Sequence, residues 1–426
     1  MSGPTAVVVA VGDELLAGDI ANGNAQWLSE RLAAAGVPVT RHVVVGDDEQ
    51  RIADAVLAGL DEGRVVLITG GLGPTQDDLT REALARAAGV ALRRDEAAAA
   101  PLVARFSSMG ADVAAMNLRQ ADLPVGALPI PNPLGTAPGI DFELRGGVVF
   151  ALPGVPHEMR GMVESTVVPR LASLKPPPAT VAVRILHTAG VGESSIAARV
   201  AEVVTRTRAD GGPVIAFLAS GGQTRVKVTA VADSPVEADA VADAVADEIR
   251  ALLGVDCYGE GETTIAGAVV AALKERGETL AVAESLTAGL VSAAIASVPG
   301  ASAVLLGGVT AYATEAKQAL LDVPEDVLRE HGAVSGPTTQ AMAEGVRARF
   351  GATWGIATSG VAGPDAQEGK PPGTVCFGLA PSGAASGRQL ALPDGGRQWI
   401  RDLSTNLVLD MLRRAVVLGS RETAGP

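Results

Sequence analysis

Residues Leu280 to Gly289, LAVAESLTAG, are the stretch from which the fold is read. Leu280 to Ala283 form a short apolar run that suits a buried strand, and LVSAAIASV, directly after Gly289, suits a helix packed tightly on its neighbours. The residues between are small (Thr287, Ala288, Gly289), so the strand turns into the helix at once, as at the joints of an α/β sheet. Ser285 stands on that joint, beside the unpaired N–H groups of the next turn. A hydroxyl placed there can attack a carbonyl while those amides hold the developing oxyanion. On this stretch alone the plainer reading, in which Ser285 or Thr287 caps the helix, is favoured.

The surrounding residues extend the pattern. A helix, TIAGAVVAALKERG, precedes the stretch and is closed by Gly277. After it, residues 304–321 (VLLGGVTAYATEAKQALL) read as a strand leading into a helix that carries Tyr312 and Lys317. An amphipathic helix near PTTQAMAEGVRARF comes next, then a strand running into the glycine-rich turn TSGVAGP, two strands (370–380 and 388–392), and a closing helix that begins at Arg397. This block is α/β and large enough to fold alone.

The N-terminal part repeats the alternation. Strands at 6–11 (AVVVAV), 39–45 and 65–69 are separated by a helix from about Asn24 to Ala35, ended by Gly36, and by a helix that Asp47-Asp48 cap and that runs towards Leu60. Such alternation predicts a doubly wound parallel sheet, which binds ligands beyond the carboxyl ends of its strands. The loop after the third strand, TGGLGPTQDDLT (Thr69 to Thr80), brings three glycines that let the backbone approach a ligand and turn its N–H groups inward. Asp77 and Asp78 would repel a bare phosphate, so their presence beside such a nest points to a bridging divalent cation. One of them is also expected to cap the helix that follows. Beyond Pro101 helix and loop are mixed, with a Pro-rich loop at 131–139 and a strand at 148–154.

Between these blocks, residues 180–253 read as strand, helix, strand, strand, helix, a small α+β module with an acidic last helix and no catalytic constellation. Lys175-Pro-Pro-Pro178 is stiff and extended, and GVDCYGEG (254–261) is a second boundary. The expected domains are therefore 1–175, 179–254 and 262–419: two doubly wound α/β domains joined by a spacer or dimerisation element.

Composition agrees with several packed cores. The 426 residues are 47% hydrophobic and 19% charged. A net charge of −14 argues against a nucleic-acid backbone or an anionic membrane as the main partner. Cys257 and Cys376 lie far apart without a CxxC pattern, which suits a reduced, cytoplasmic compartment and no structural zinc. The histidines at 42, 157, 187 and 331 lack metal-ligand spacing, and no basic residue precedes Arg31 to begin a secretory signal. The uncharged segment Ser285 to Thr314 is rich in Ser, Gly and Ala and is broken by Pro299-Gly300, so it reads as buried core and not as a membrane span.

On these motifs the whole chain resembles the CinA (competence- and damage-inducible) family. The first block is similar to the molybdopterin-binding MoaB/MogA-type fold, through Gly12-Asp13-Glu14-Leu15-Leu16, Asn24 and TGGLGPTQDDLT. The resemblance implies a metal-dependent ADP-ribose pyrophosphatase releasing AMP and ribose 5-phosphate. It implies a nucleotide held by Gly12, Glu14, Asn24, Gly70, Gly71, Gly73 and Thr75, and a metal of unspecified identity on Asp77 and Asp78. Asn22-Gly23 depart from the usual Asp-Thr. The middle block resembles the KH-like connector of full-length members but lacks a basic GxxG clamp, so RNA binding is not implied.

The third block resembles the nicotinamide-nucleotide amidase domain, through AESLTAG, GGVTAYATEAK, HGAVSGP, TSGVAGP, KPPGTV and Arg397. That implies hydrolysis of the carboxamide of nicotinamide mononucleotide to nicotinate mononucleotide and ammonia, without a cofactor. Leu286, Ala288 and Gly336 depart from the family pattern, whereas Ser285, Thr287 and Gly289 keep it, and the resemblance implies that Thr287 and Gly289 touch the substrate. An amide is a poor electrophile and its serine needs a base; no histidine lies in these motifs. Lys317 is the candidate, provided burial lowers its pKa. Ser285 is then the nucleophile, Lys317 the base, and Tyr312 the residue that orients the pair. Arg397 and the TSGVAGP turn (Ser359, Gly360, Gly363), with Lys370 and Thr374, hold the phosphate-bearing substrate. The resemblance also implies a homodimer. Two other readings stay open: molybdopterin binding or adenylyl transfer by the first domain, and a non-catalytic nucleotide sensor with a decayed amidase site.

Overall fold

The computed structural model describes residues 3–108, 114–174 and 180–419. The proline-rich boundary read at 175–178 lies outside the described residues. The chain divides into two compact units, one formed up to Ala182 together with Val231–Asp239, the other by Val183–Ala230 with the chain from Ala240 onward.

In the first unit a six-stranded sheet runs in the order Val39–Val45, Ala6–Val11, Val65–Thr69, Gly147–Leu152, Gly139–Leu144, Leu128–Ile130. The first four strands are parallel and the last two antiparallel, so the sheet is mixed where a parallel one was expected. The tight turn Arg145-Gly146, both with positive φ, forces that reversal. Every residue of Ala6–Val11 is buried, because Val7 and Val9 face one helical layer and Val8 the other. Asp48 caps the helix Glu49–Glu62 by accepting from the Arg51 amide at 2.8 Å. A short helix, Asp13–Ala17, follows the first strand.

The second unit contains two sheets. The middle module orders its strands Val214–Ser220, Gln223–Ala232, Thr180–Ala189, Cys257–Glu260. Its last strand lies within the segment expected to be a linker, and Cys257 pairs antiparallel with Thr188. The C-terminal sheet runs Leu305–Thr310, Leu280–Glu284, Trp354–Gly360, Thr374–Ala380, Ser386–Ala391, with the first three parallel and the rest antiparallel. Helices Ile265–Arg276 and Arg397–Leu418 cover one face and Gly336–Phe350 the other. That last helix sits so close that a Cβ on Gly378 would lie 1.9 Å from the Thr339 carbonyl oxygen. Among the described residues no helix is long and apolar enough to cross a membrane.

Both α/β sheets place a central strand between neighbours reached by crossovers in opposite directions, Ala6–Val11 in one and Leu280–Glu284 in the other. The carboxyl ends of those strands are therefore the switch points at which such sheets open a crevice. Gly12 follows the first and Ser285 the second.

Asp410 on the closing helix is buried and accepts from Arg413 at 3.0 and 2.6 Å and from Arg414 at 2.6 Å. The same arginines reach the carbonyls of Val255 (2.7 Å) and Ala189 (2.6 Å), which fastens the middle module to this helix. Asp410→Ala strands the buried Arg413 guanidinium and is expected to destabilise this unit by about 3–5 kcal/mol, read from its denaturant-unfolding transition.

Candidate active sites

Ser285 leaves the strand Leu280–Glu284 with its amide still bonded to the Thr358 carbonyl at 2.9 Å, so the nucleophile candidate is anchored to the neighbouring strand. The turn after it needs two left-handed residues, Ala288 at φ 49° and Gly289 at φ 101°. Glu284 holds that turn closed. It is 1% exposed, and its carboxylate accepts from the amides of Gly289 (2.8 Å), Val291 (3.1 Å) and Ser292 (2.9 Å) and from the Ser292 hydroxyl (2.6 Å). From the other side Arg401 donates to the carbonyls of Leu286 at 2.9 Å and Thr287 at 3.0 Å. In a planar trans peptide the N–H opposes the C=O, so the Thr287 amide is turned away from Arg401. Among the described residues neither the Leu286 nor the Thr287 amide has a hydrogen-bond partner.

Lys317 sits in the first turns of the helix Thr314–Leu321, and its side chain follows the tilt of helical side chains back towards the N-terminus. Its Nζ lies 3.1 Å from Ser285 Oγ and donates to the carbonyls of Ala311 (2.9 Å) and Tyr312 (3.2 Å). The residue is 1% exposed. Burial lowers its pKa to about 8, against an opposing pull from Glu368 and Glu315. A neutral amine keeps two N–H donors for the carbonyls and a lone pair for the serine proton.

The expected role of Tyr312 needs correction. Its carbonyl serves Lys317, but its ring is 56% exposed and its hydroxyl accepts from Arg397 at 2.8 Å, not from the pair. Arg397 also donates to the Gly363 carbonyl at 2.7 Å, so the two side chains form the outer rim of a cavity of about 120 Å³. Ser285, Lys317, Ser359, Gly360 and Gly363 line the same cavity. Four residues expected to touch substrate do not line it. The Thr287 hydroxyl bonds Thr358 (2.7 Å), the Gly289 amide bonds Glu284, Lys370 Nζ bonds the Val334 carbonyl (2.5 Å), and Thr374 is buried in the sheet. They build the wall and hold the turn. The sequence did not single out Glu284 or Arg401, although an acidic residue inside an otherwise apolar strand was a signal for the first.

In the first unit, Gly12, Glu14, Asn24, Gly70, Gly71, Gly73, Asp77 and Asp78 line one cavity of about 660 Å³, and Thr75 does not. Asn24 donates to Thr69 Oγ1 (3.0 Å) and the Gly154 carbonyl (2.7 Å), tying two strand ends together. The anion nest is filled from within. Asp78 accepts from the Gly73 amide (2.8 Å), the Thr75 amide (2.8 Å) and the Thr75 hydroxyl (2.5 Å). Buried Arg81 takes the carbonyls of Leu72 (2.6 Å) and Gly73 (2.8 Å), and Arg119 that of Thr75 (3.2 Å). Asp78 therefore orders the loop and does not fit the role of metal ligand. Among the described residues no group of three or more His, Cys, Asp or Glu has metal-holding geometry. Asp13 and Asp47 exchange amide-to-carboxylate bonds (3.0 and 3.3 Å), and desolvation with the nearby Asp13, Glu14 and Asp77 charges raises the Asp47 pKa.

These observations define the class: an α/β protein with a buried Ser–Lys pair at one switch point and a glycine-loop cavity at another. Family models agree domain by domain, with "Probable molybdopterin binding domain" matching residues 7–173, "Damage-inducible protein CinA KH domain" 183–259, and "CinA C-terminal domain" 262–416. The chain belongs to the CinA family. A CinA-like protein of Frankia casuarinae is 51% identical over 96% of this chain and 95% of its own, and one of Gloeobacter violaceus is 42% identical over 97% of each. The solved protein CinA with unknown function from Thermoplasma acidophilum is 38% identical, covering 39% of this chain and 98% of that one, with a TM-score of 0.37.

Two outcomes follow from the turn. Replacing Ala288, held at φ 49°, by glycine is expected to stabilise the domain by up to about 1 kcal/mol, measured by denaturant unfolding. Glu284→Gln leaves at most one oxygen for four donors and is expected to destabilise the domain by about 1–3 kcal/mol, measured by denaturant unfolding.

Proposed function

We propose that the C-terminal domain hydrolyses a nicotinamide-nucleotide carboxamide, nicotinamide mononucleotide first among the candidates, to the carboxylate and ammonia. The observation that carries this reading is the buried Lys317 amine 3.1 Å from Ser285 Oγ. Ser285 Oγ attacks the carboxamide carbon as its proton passes to neutral Lys317. The Leu286 amide, which has no partner among the described residues and belongs to a residue lining the cavity, receives the oxyanion. The lysine ammonium then protonates the amide nitrogen, the C–N bond breaks, and ammonia leaves an acyl-serine. Water gives a proton to Lys317 and attacks the ester; the same proton returns to Ser285 as the carboxylate is released.

Ser285 and Lys317 line a cavity of about 120 Å³, which is where the reacting carboxamide end would sit. The phosphate is then left to the exposed guanidinium of Arg397 at the rim. An intact pair also speaks against a decayed site, despite Leu286 and Ala288.

For the N-terminal domain the proposed activity is cation-dependent cleavage of ADP-ribose to AMP and ribose 5-phosphate. Its support is electrostatic. Glu14, Asp47 and Asp77 line the cavity and Asp13 is bonded to Asp47, so a bare pyrophosphate would be repelled by these carboxylates. With Asp78 committed to the loop, Asp77 and its neighbours are the carboxylates a divalent cation would meet, and the cation would neutralise the pyrophosphate. The family match to a molybdopterin-binding domain favours a second reading, pterin-cofactor binding at this cavity. A pterin that displaces ADP-ribose without AMP being formed would select it.

Three measurements test the proposal. Ammonia release from nicotinamide mononucleotide is expected for the wild type and to fall at least about 10³-fold in Ser285→Ala; no release by wild type overturns the amidase reading. Since only the unprotonated amine accepts a proton, kcat/KM should rise with pH through about 8 and then level off. AMP formation from ADP-ribose should stop on complete chelation of divalent cations, while ammonia release continues; unchanged AMP formation would remove the cation from the proposal.

A further inference from the structure

The N-terminal cavity contains a polar group that the described residues leave unsatisfied. Gln120 lines it, is 2% exposed, and its Oε1 has no hydrogen-bond partner. Buried amide oxygens in native proteins are almost always bonded, so an exception in a cavity wall calls for a ligand. Its backbone is held on both sides. Arg119 is paired with Glu82 at 2.7 Å and bonded to the Thr75 carbonyl at 3.2 Å, and the carbonyl of fully buried Ala121 accepts from the Asp95 amide at 2.9 Å. The side chain is thus presented by a fixed element, in a cavity whose lining also includes the apolar Leu72, Pro74 and Ala137.

We propose that the Gln120 amide is the base-reading group of this cavity, pairing with the adjacent donor and acceptor on the edge of an adenine. A side-chain amide offers one acceptor and one donor in a plane, and adenine matches it bidentately through its exocyclic amine and a neighbouring ring nitrogen. The apolar residues of the same lining suit the faces of a flat ring. This assignment rests on the reading of the cavity as a nucleotide site, and it adds the part of the nucleotide that is recognised and the residue that recognises it. A pterin shares the donor–acceptor edge, so the test separates the two bases.

The experiment is calorimetric binding on the full-length protein, comparing ADP-ribose, its analogue with unsubstituted purine in place of adenine, and a pterin monophosphate, for wild type and Gln120→Leu. Wild type is expected to prefer ADP-ribose over the purine analogue by about 10-fold or more, the value of a good bidentate pair, and Gln120→Leu to erase that preference. Gln120→Leu should also unfold at the same or a higher temperature, because it removes an unpaired buried amide; a residue with a merely structural hydrogen bond would lower it. An unchanged preference in Gln120→Leu overturns the assignment, even where ADP-ribose hydrolysis is intact. Gln120-dependent binding of the pterin with none of ADP-ribose also overturns it. Gln120-dependent ADP-ribose binding without AMP formation upholds the assignment and removes only the pyrophosphatase reading.

Discussion

An amine taken out of water beside a hydroxyl is the interaction on which the C-terminal domain depends. A lysine in solvent is a cation; burial lowers the pKa of Lys317 to about 8 and brings its neutral, proton-accepting form within reach near neutral pH. That burial is organised by backbone, since the chain preceding its helix wraps carbonyls around Nζ and leaves one direction open, towards Ser285. The acids that counter the shift are kept occupied. Glu368, the larger opposing charge, accepts from the amides of Ala333 (2.9 Å) and Val334 (3.1 Å) and so helps build the cavity wall.

Both functional loops are held from behind by arginine. Arg401 binds two successive carbonyls of the turn after Ser285, and Arg81 binds two of the glycine loop after Thr69. A guanidinium offers donors in a planar fork, and each carbonyl it captures fixes the orientation of the amide on the far side of that peptide. The outcomes differ because of carboxylates. Glu284 gathers the amides of the helix start and leaves those of Leu286 and Thr287 free, whereas Asp78 folds into its own loop and satisfies Gly73 and Thr75. Among the described residues the first loop keeps two amides without a partner, and the second has its amides taken by the chain's own carboxylate.

The α/β character of both large domains, the family, the closeness of Ser285 to Lys317 and the cavity positions of Gly12, Gly70 and Arg397 were legible in the sequence. Apolar runs of strand length, glycines at strand ends and a small-residue turn are local signals, because backbone geometry allows few alternatives at each. The antiparallel strands of the first sheet and the strand inside the presumed linker at 254–261 were not legible. Pairing partners lie up to dozens of residues away, and a short polar strand such as Cys257–Glu260 has no periodicity to announce it.

The sequence by itself determined which residue types could do chemistry and roughly where each stands along its strand or helix. Only the tertiary structure decided what each one touches. Tyr312 turned out to serve Arg397, Asp78 its own loop, and Lys370 a wall carbonyl, while Glu284 and Gln120 gained their significance from burial and Arg401 from the two carbonyls it holds. The physical reason is that a hydrogen bond or a pKa shift depends on distance and on the exclusion of water, and both are properties of packing between segments remote in the chain.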